Sequence, residues 1–276
     1  MSAFAKITDR IISLIETEGC LPWAKPWRVN APSNVVTGKP YRGINRLLLS
    51  VAGFTDPRFL TFKQALMLGG SVRKGEHGLP VVYWQFSDVE DETDSRKSKA
   101  LCRAYTIFNV EQCEGLNLPV IETPIHSADA IQAAQILVDG YKDHPAIVHG
   151  GEVACYIPSR DRVMMPVREA FESGEAYFGV LAHECIHSTG HESRLQRPGV
   201  TDPISFGSEN YALEELIAEL GAAFLCAESG IENRIEQSAA YIAGWLEALR
   251  NDKSLVIKAA GGAQRASDWV RGREAA

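Results

Sequence analysis

Residues 183–187 read His-Glu-Cys-Ile-His, and no other short stretch of this chain restricts its fold and chemistry as much. Two histidines four apart project from one face of a helix, because successive turns bring positions i and i+4 into line. Both imidazoles can then reach one divalent metal, with Glu184 beside the water that the metal activates, an arrangement suited to hydrolysis. The flanks predict a helix that buries itself: Tyr177, Phe178, Val180 and Leu181 lie on and beside one face, and Gly190 marks the stop. Buried histidines need partners, and one metal serves both.

A catalytic metal site takes three protein ligands and leaves the fourth position to water. His191 falls too early for the metzincin pattern, whose third histidine would stand where this chain has Ser193. The other candidate lies in a helix predicted over residues 208–229 and closed by Gly230. On its helical wheel Glu215, Glu219 and Ala222 share a face, whereas Leu213, Leu216, Leu220 and Phe224 form a separate apolar one. Gly221, Ala222 and Ala223 thin the helix for close approach to a neighbour. The spacing resembles the thermolysin-like zincins, where a ligand glutamate is followed four residues later by an acidic group bonding a ligand histidine. That resemblance implies Glu215 as third ligand and Glu219 as the carboxylate behind a histidine. The competing use of both is a solvated acidic helix face. Tyr211 and His191 are the candidates for stabilising an oxyanion.

With 276 residues, 45% of them hydrophobic, the chain can bury a sizeable core, and its length points to two domains. The six cysteines form no C-x-x-C pair, the first residues lack a leader pattern, and no run of about eighteen apolar residues occurs. The expectation is a cytoplasmic protein with reduced thiols and no membrane partner. The net charge of −7 conceals an asymmetry: residues 1–87 hold eleven Lys and Arg against five Asp and Glu. A basic front on an acidic chain suits an anionic partner at one end, nucleic acid above all.

An amphipathic helix is expected over residues 6–18, ending at Gly19. In the stretch that follows, Trp23 and Trp27 stand beside Lys25 and Arg28 between two prolines, so the indoles either stack on unpaired bases or plug the core. Lys39, Tyr41, Arg42 and Arg46 come next, leading into a short helix over residues 47–52. Lys63 follows on another helix that Thr61 caps, and Arg73 and Lys74 lie in a turn before strands over 81–86 and 105–110. Basic residues interleaved with aromatics bind single-stranded DNA by backbone attraction plus base stacking. The charged stretch 88–98 reads as a mobile hairpin loop.

Residues 114–127 lack periodicity, so the boundary is placed between a first domain, 1–125, and a second, 126–276. The second is mainly helical: a helix over 128–141, a hairpin over 153–165, the two helices above, a closing helix over 235–249 and a last stretch, 255–270, broken at Gly261-Gly262.

The chain resembles the ArdC-type antirestriction proteins of conjugative plasmids along nearly its whole length. The carriers are Pro22-Trp-Ala-Lys-Pro-Trp27, Thr37-Gly-Lys-Pro-Tyr-Arg-Gly-Ile-Asn45, Leu60-Thr-Phe-Lys-Gln-Ala65, Val72-Arg-Lys-Gly-Glu76, Phe108-Asn-Val-Glu-Gln112 and the segments 183–195 and 211–225. The resemblance implies an α+β chain: a basic α+β single-stranded-DNA-binding domain, then a mainly helical, gluzincin-type zincin-like metallopeptidase domain. It implies one Zn²⁺ or another divalent metal on His183, His187 and Glu215, with Glu184 as base. It further implies protection of incoming DNA from host restriction, with an unidentified protein substrate such as a host restriction component. The alternative is a non-catalytic DNA-shielding module whose metal only stabilises the fold. A metal-dependent nuclease fits less well, since its carboxylate cluster is not evident. On the two-domain reading, each activity is expected to survive removal of the other domain.

Overall fold

Ile7, Ile11 and Ile15 recur at helical spacing, and they line the buried face of helix α1 (Ala3–Glu18). The computed structural model describes residues 3–24, 31–89, 97–121, 127–202, 208–231 and 238–273. After α1 come strand β1 (Ser33–Asn34), helix α2 (Gly43–Ser50), β2 (Arg58–Leu60), α3 (Phe62–Met67), β3 (Ser71–Val72), β4 (Leu79–Val89), β5 (Lys97–Asn109) and β6 (Cys113–Glu114). One sheet has the order β1-β2-β5-β4, parallel between β1 and β2 and antiparallel elsewhere; β3 and β6 form a separate antiparallel pair.

The β4–β5 hairpin is longer than its apolar alternation suggests. Its register runs from Leu79 opposite Ile107 to Val89 opposite Lys97. Asp88 and Ser98, expected in a loop, are therefore paired across the ladder, and residues 90–96 lie outside the described residues. Backbone pairing tolerates charged and small residues where no core face has to be filled.

Several short motifs of the front region prove to be folding devices. Thr61 and Gln64 form a reciprocal capping box at the start of α3, and Asn109 with Gln112 forms another after β5. The Asn45 side chain bonds both the N–H and the C=O of Val82, at 2.8 and 2.6 Å, so it covers part of the outer edge of β4.

The back region holds α4 (Ser127–Asp139), β7 (Ala146–His149), β8 (Cys155–Ile157), β9 (Arg162–Met165), α5 (Gly174–Ser188), α6 (Pro198–Thr201), α7 (Glu209–Ser229), α8 (Ala239–Asn251) and α9 (Leu255–Val270). Its small sheet has the order β7-β9-β8, leaving β8 at one edge. Ser173 and Ser208 cap α5 and α7 through their side chains, and Gly230 ends α7 with φ 72°. The expected break at Gly261-Gly262 does not occur: α9 runs unbroken, and a Cβ on Gly262 would lie 2.7 Å from Ile217. The glycine is there for close helix packing, and burial on both sides outweighs its poor helix propensity. Gly221 does the same between α7 and α5, where a Cβ would lie 2.8 Å from Ile186.

Front and back regions share one hydrophobic core, in which Ile7, Ile11, Leu21, Trp23, Leu47 and Leu48 pack with residues of α5, α7 and α9. Polar contacts reinforce the junction. Thr8 donates to the Lys253 carbonyl at 2.7 Å, and the Gly43 N–H donates to Gln264 at 3.1 Å. The change near residue 125 is thus a change of architecture between two parts that pack on a common core. No helix among the described residues is long and apolar enough to cross a membrane.

Candidate metal centre

Helices α5 and α7 approach across Gly221, and this contact brings residues 32 positions apart in sequence to one point. His183, His187 and Glu215 each offer a donor atom, all within 4.8 Å of one another. The two histidine Nε2 atoms are 3.0 Å apart, and the Glu215 carboxylate lies 3.8 Å from His183 Nε2 and 3.7 Å from His187 Nε2. Metal bonds of about 2.0–2.1 Å at a tetrahedral angle put neighbouring donors about 3.3–3.5 Å apart. The separations observed straddle that range, so two nitrogens and a carboxylate oxygen fit one divalent ion.

Burial, reinforced by neighbouring His187, depresses the His183 pKa to about 3, which leaves its ring neutral with a lone pair to give. Burial lifts the Glu215 and Glu184 carboxyls above their ordinary range. For Glu184 this is partly offset by His187 and by a hydrogen bond from the backbone of Tyr156 on β8. The centre opens into a cleft of about 570 Å³ whose lining includes Ala154, Tyr156, Pro158, Val200, Asp202 and Tyr211. Tyr211 bonds Glu215, whereas His191 bonds Ser193 and does not line the cleft.

The carboxylate behind the histidine is not the expected one. Glu214 stands 3.0 Å from His187 Nδ1, and is in turn held by Arg197. Glu219 bonds other partners: its carboxyl accepts from the Trp23 indole N–H at 2.5 Å and from the Tyr241 hydroxyl. The resemblance to thermolysin-like zincins implies Glu219 for this place, but α5 crosses α7 so that Glu214, the residue just before the proposed ligand, meets the back of the ring. Glu214, Arg197 and the cleft wall at Val200 and Asp202 carried no readable signal in sequence.

The expected DNA contacts divide. Trp23 is fully buried, with its ring edge-on to Trp245, so it is a core plug and not a stacking platform. Arg46 is also interior: it bonds the Phe224 carbonyl at 2.9 Å and Glu228 at 2.7 Å and lies over the Phe224 ring. Neither can reach a phosphate. Arg42 is tied to Asp268 at 2.5 Å, Arg73 to Glu76 at 2.6 Å, and the half-buried Tyr41 ring packs edge-on against Phe59. Lys39, Lys63 and Lys74 are exposed and carry no ion pair among the described residues. Lys25, Trp27 and Arg28 lie outside the described residues. The structure adds a surface that the sequence reading passed over. Tyr83 faces Arg103 across the hairpin, and Tyr105 stands opposite Val81 on the same face. Tyr83 is 61% exposed and Tyr105 46%, and Arg103 is exposed with them.

Comparison with known proteins places these features in a wider group. Residues 1–110 match the N-terminal domain of the anti-restriction factor ArdC, and residues 135–262 match a zincin-like metallopeptidase family. Crystal structures of the antirestriction protein ArdC from the R388 plasmid are similar over almost the whole chain. The metal-free form has 37% identity and a TM-score of 0.78, covering 98% of this chain and 97% of that one. The Mn(II)-bound form has a TM-score of 0.77 at the same identity, covering 99% and 98%. DNA primase TraC of Escherichia coli is 36% identical over 96% of this chain, which spans only 26% of the primase. The uncharacterized protein y4eC of Sinorhizobium fredii is 36% identical over 98% of this chain and 92% of its own length.

Proposed function

The chain belongs to the ArdC antirestriction family, and from that premise we propose that it is a zinc peptidase that also binds single-stranded DNA. Together these activities protect incoming DNA from host restriction. The observation that carries the peptidase reading is the open centre: two histidines and one glutamate converge on a cleft that a second glutamate, Glu184, also lines.

A metal held by His183, His187 and Glu215 would supply Lewis acidity to a carbonyl and acidify a water. Glu184 is the base. Lining the cleft beside the three candidate ligands, it would accept a proton from the attacking water and return it to the leaving amine. Strand β8, at the edge of its sheet beside the centre, can take an extended peptide as an added strand. The Tyr156 backbone, which bonds Glu184, ties the base to that edge.

The test is metal content and peptide-library hydrolysis of wild type, Glu184→Gln and Glu215→Ala. Glu184→Gln should retain about one zinc per chain and lose hydrolysis; Glu215→Ala should lose the metal. Hydrolysis undiminished in Glu184→Gln would remove the peptidase assignment, and the purely structural metal would then be the better reading.

Support for the DNA reading comes from the Tyr83, Arg103 and Tyr105 face together with the exposed Lys39, Lys63 and Lys74. Two tyrosines and a guanidinium on one hairpin face can stack bases while lysines attract the backbone. Tyr83→Ala and Tyr105→Ala should each weaken binding of a fluorescent oligonucleotide by roughly 1–3 kcal/mol if a base stacks there. Affinity should also fall with salt. Unchanged affinity in the double variant would place DNA elsewhere.

A further inference from the structure

We infer that Arg197 is a positioning residue of the metal centre: through Glu214 it fixes the ring of His187 and presents its Nε2 to the ion. The inference rests on the metal reading above. Arg197 is buried, and its fork meets both oxygens of Glu214, Nε donating to Oε2 at 2.8 Å and Nη2 to Oε1 at 2.7 Å. Two-point pairing prevents rotation of the carboxylate, which a single contact would allow. The same Oε1 lies 3.0 Å from His187 Nδ1. A carboxylate paired to arginine has no proton to donate, so the hydrogen in that contact belongs to Nδ1, and in the neutral ring that a metal requires the lone pair is left on Nε2.

Arg197 is itself held from several directions. Its Nη1 donates to Thr189 Oγ1 at 2.6 Å, and Nη2 donates to the Ile186 carbonyl at 2.8 Å, at the end of α5. The chain returns to α5 between these residues: the Arg197 N–H donates to the Gly190 carbonyl at 3.0 Å, and Gln196 adopts φ 48°. Two glycines make room for the arrangement. A Cβ on Gly190 would lie 3.0 Å from the guanidinium and 2.4 Å from Val200, and one on Gly199 would lie 2.6 Å from Glu214. Arg197 thus connects the cleft wall at Val200 to the ring of His187, and a lysine could not reproduce its fork.

The experiment uses the full chain. Zinc affinity is measured by competition with a chromophoric chelator for wild type, Arg197→Lys, Arg197→Met, Glu214→Gln and the Arg197→Met/Glu214→Gln double variant. The His187 tautomer is read in metal-free protein by long-range proton–nitrogen NMR. Arg197→Met and Glu214→Gln should each weaken zinc binding by roughly 10 to 100-fold, the usual effect of removing a partner behind a ligand histidine. The double variant should be little worse than either. Wild type should hold the Nδ1–H form, and both single variants should lose that preference. Arg197→Lys should fall between wild type and Arg197→Met, and it decides the matter if Arg197→Met does not fold. A folded arginine variant with wild-type zinc affinity and an unchanged His187 tautomer would overturn the inference. A wild type that binds no zinc while its tautomer still depends on Arg197 would overturn the metal reading alone.

Discussion

Glu219 lies at 2% exposure between an indole N–H and a phenol, and burial lifts its pKa from an ordinary 4.5 to about 7. The consequence for stability follows from linkage. Between those two values the unfolded carboxyl has released its proton while the folded one retains it, so stability falls as pH rises. The contribution is fully present below about 4.5 and is lost as pH passes through 7. Gln is an isostere of the neutral acid and cannot ionise. In metal-free protein, Glu219→Gln should therefore flatten the decline of Tm between pH 4.5 and 7 and make the variant the more stable of the two at pH 8. A wild-type slope in the variant would mean that Glu219 is already ionised in the folded state. The neighbouring Glu214 contrasts with it: burial raises its carboxyl, but hydrogen bonds accepted from Arg197 and from His187 outweigh burial and hold it low. Two glutamates on one helix thus differ in charge because they differ in partners.

Contact between α5 and α7 is the element on which the centre depends, since each helix carries part of the ligand set. Gly221 sets their separation. A methyl there would sit 2.8 Å from two carbons of Ile186, on the buried turn between His183 and His187. Gly221→Ala should destabilise the fold by about 1–3 kcal/mol through overpacking, although alanine favours the helix more than glycine does. It should also weaken metal binding, because the helices can separate only by moving Glu215 from the histidines. Adding Ile186→Ala removes the obstructing atoms, so denaturant melts of the two single variants and the double should show less than additive loss. Strict additivity would mean that the two positions do not share the contact.

At the scale of the whole molecule, the front region is part of what holds the metal domain. Trp23 bonds Glu219 one turn beyond Glu215 on α7, and Arg46 neutralises Glu228 near the end of the same helix. Burying Trp23 and the isoleucines of α1 contributes roughly 1.5–3 kcal/mol per large side chain, which together is comparable to the whole net stability of a domain. A fragment of residues 126–276 should therefore unfold without cooperativity, bind a hydrophobic dye and hold zinc poorly. The intact chain should melt in one transition by fluorescence and circular dichroism alike. A fragment with native zinc affinity and a sharp melt would show that the shared core is dispensable. Fusion of such a unit to other domains, as in the primase relative that it spans by about a quarter, places no demand on this internal junction.

Local pattern made several features readable in advance. His183 and His187 share a face because the helical period alone dictates it, and Ser208 and Gly230 mark the ends of α7 through their own backbone and side-chain chemistry. The face shared by Glu215 and Glu219 was also correct as an angle. A wheel, however, specifies direction and not what lies in that direction. Only the crossing of α5 over α7 decided that Glu214 backs His187 and that Glu219 meets Trp23, a residue 196 positions away. Arg46 belongs in sequence to a basic stretch with Lys39, Tyr41 and Arg42, whereas its ion-pair partner Glu228 arrives from another helix. Tyr83 and Tyr105 were read as ordinary strand residues, since alternation cannot say which face of a hairpin lacks a covering layer. Composition and periodicity determined most of the elements and the pairing of His183 with His187 on one face; packing between distant elements determined which charges are paired, which aromatics are buried, and which remain open to a ligand.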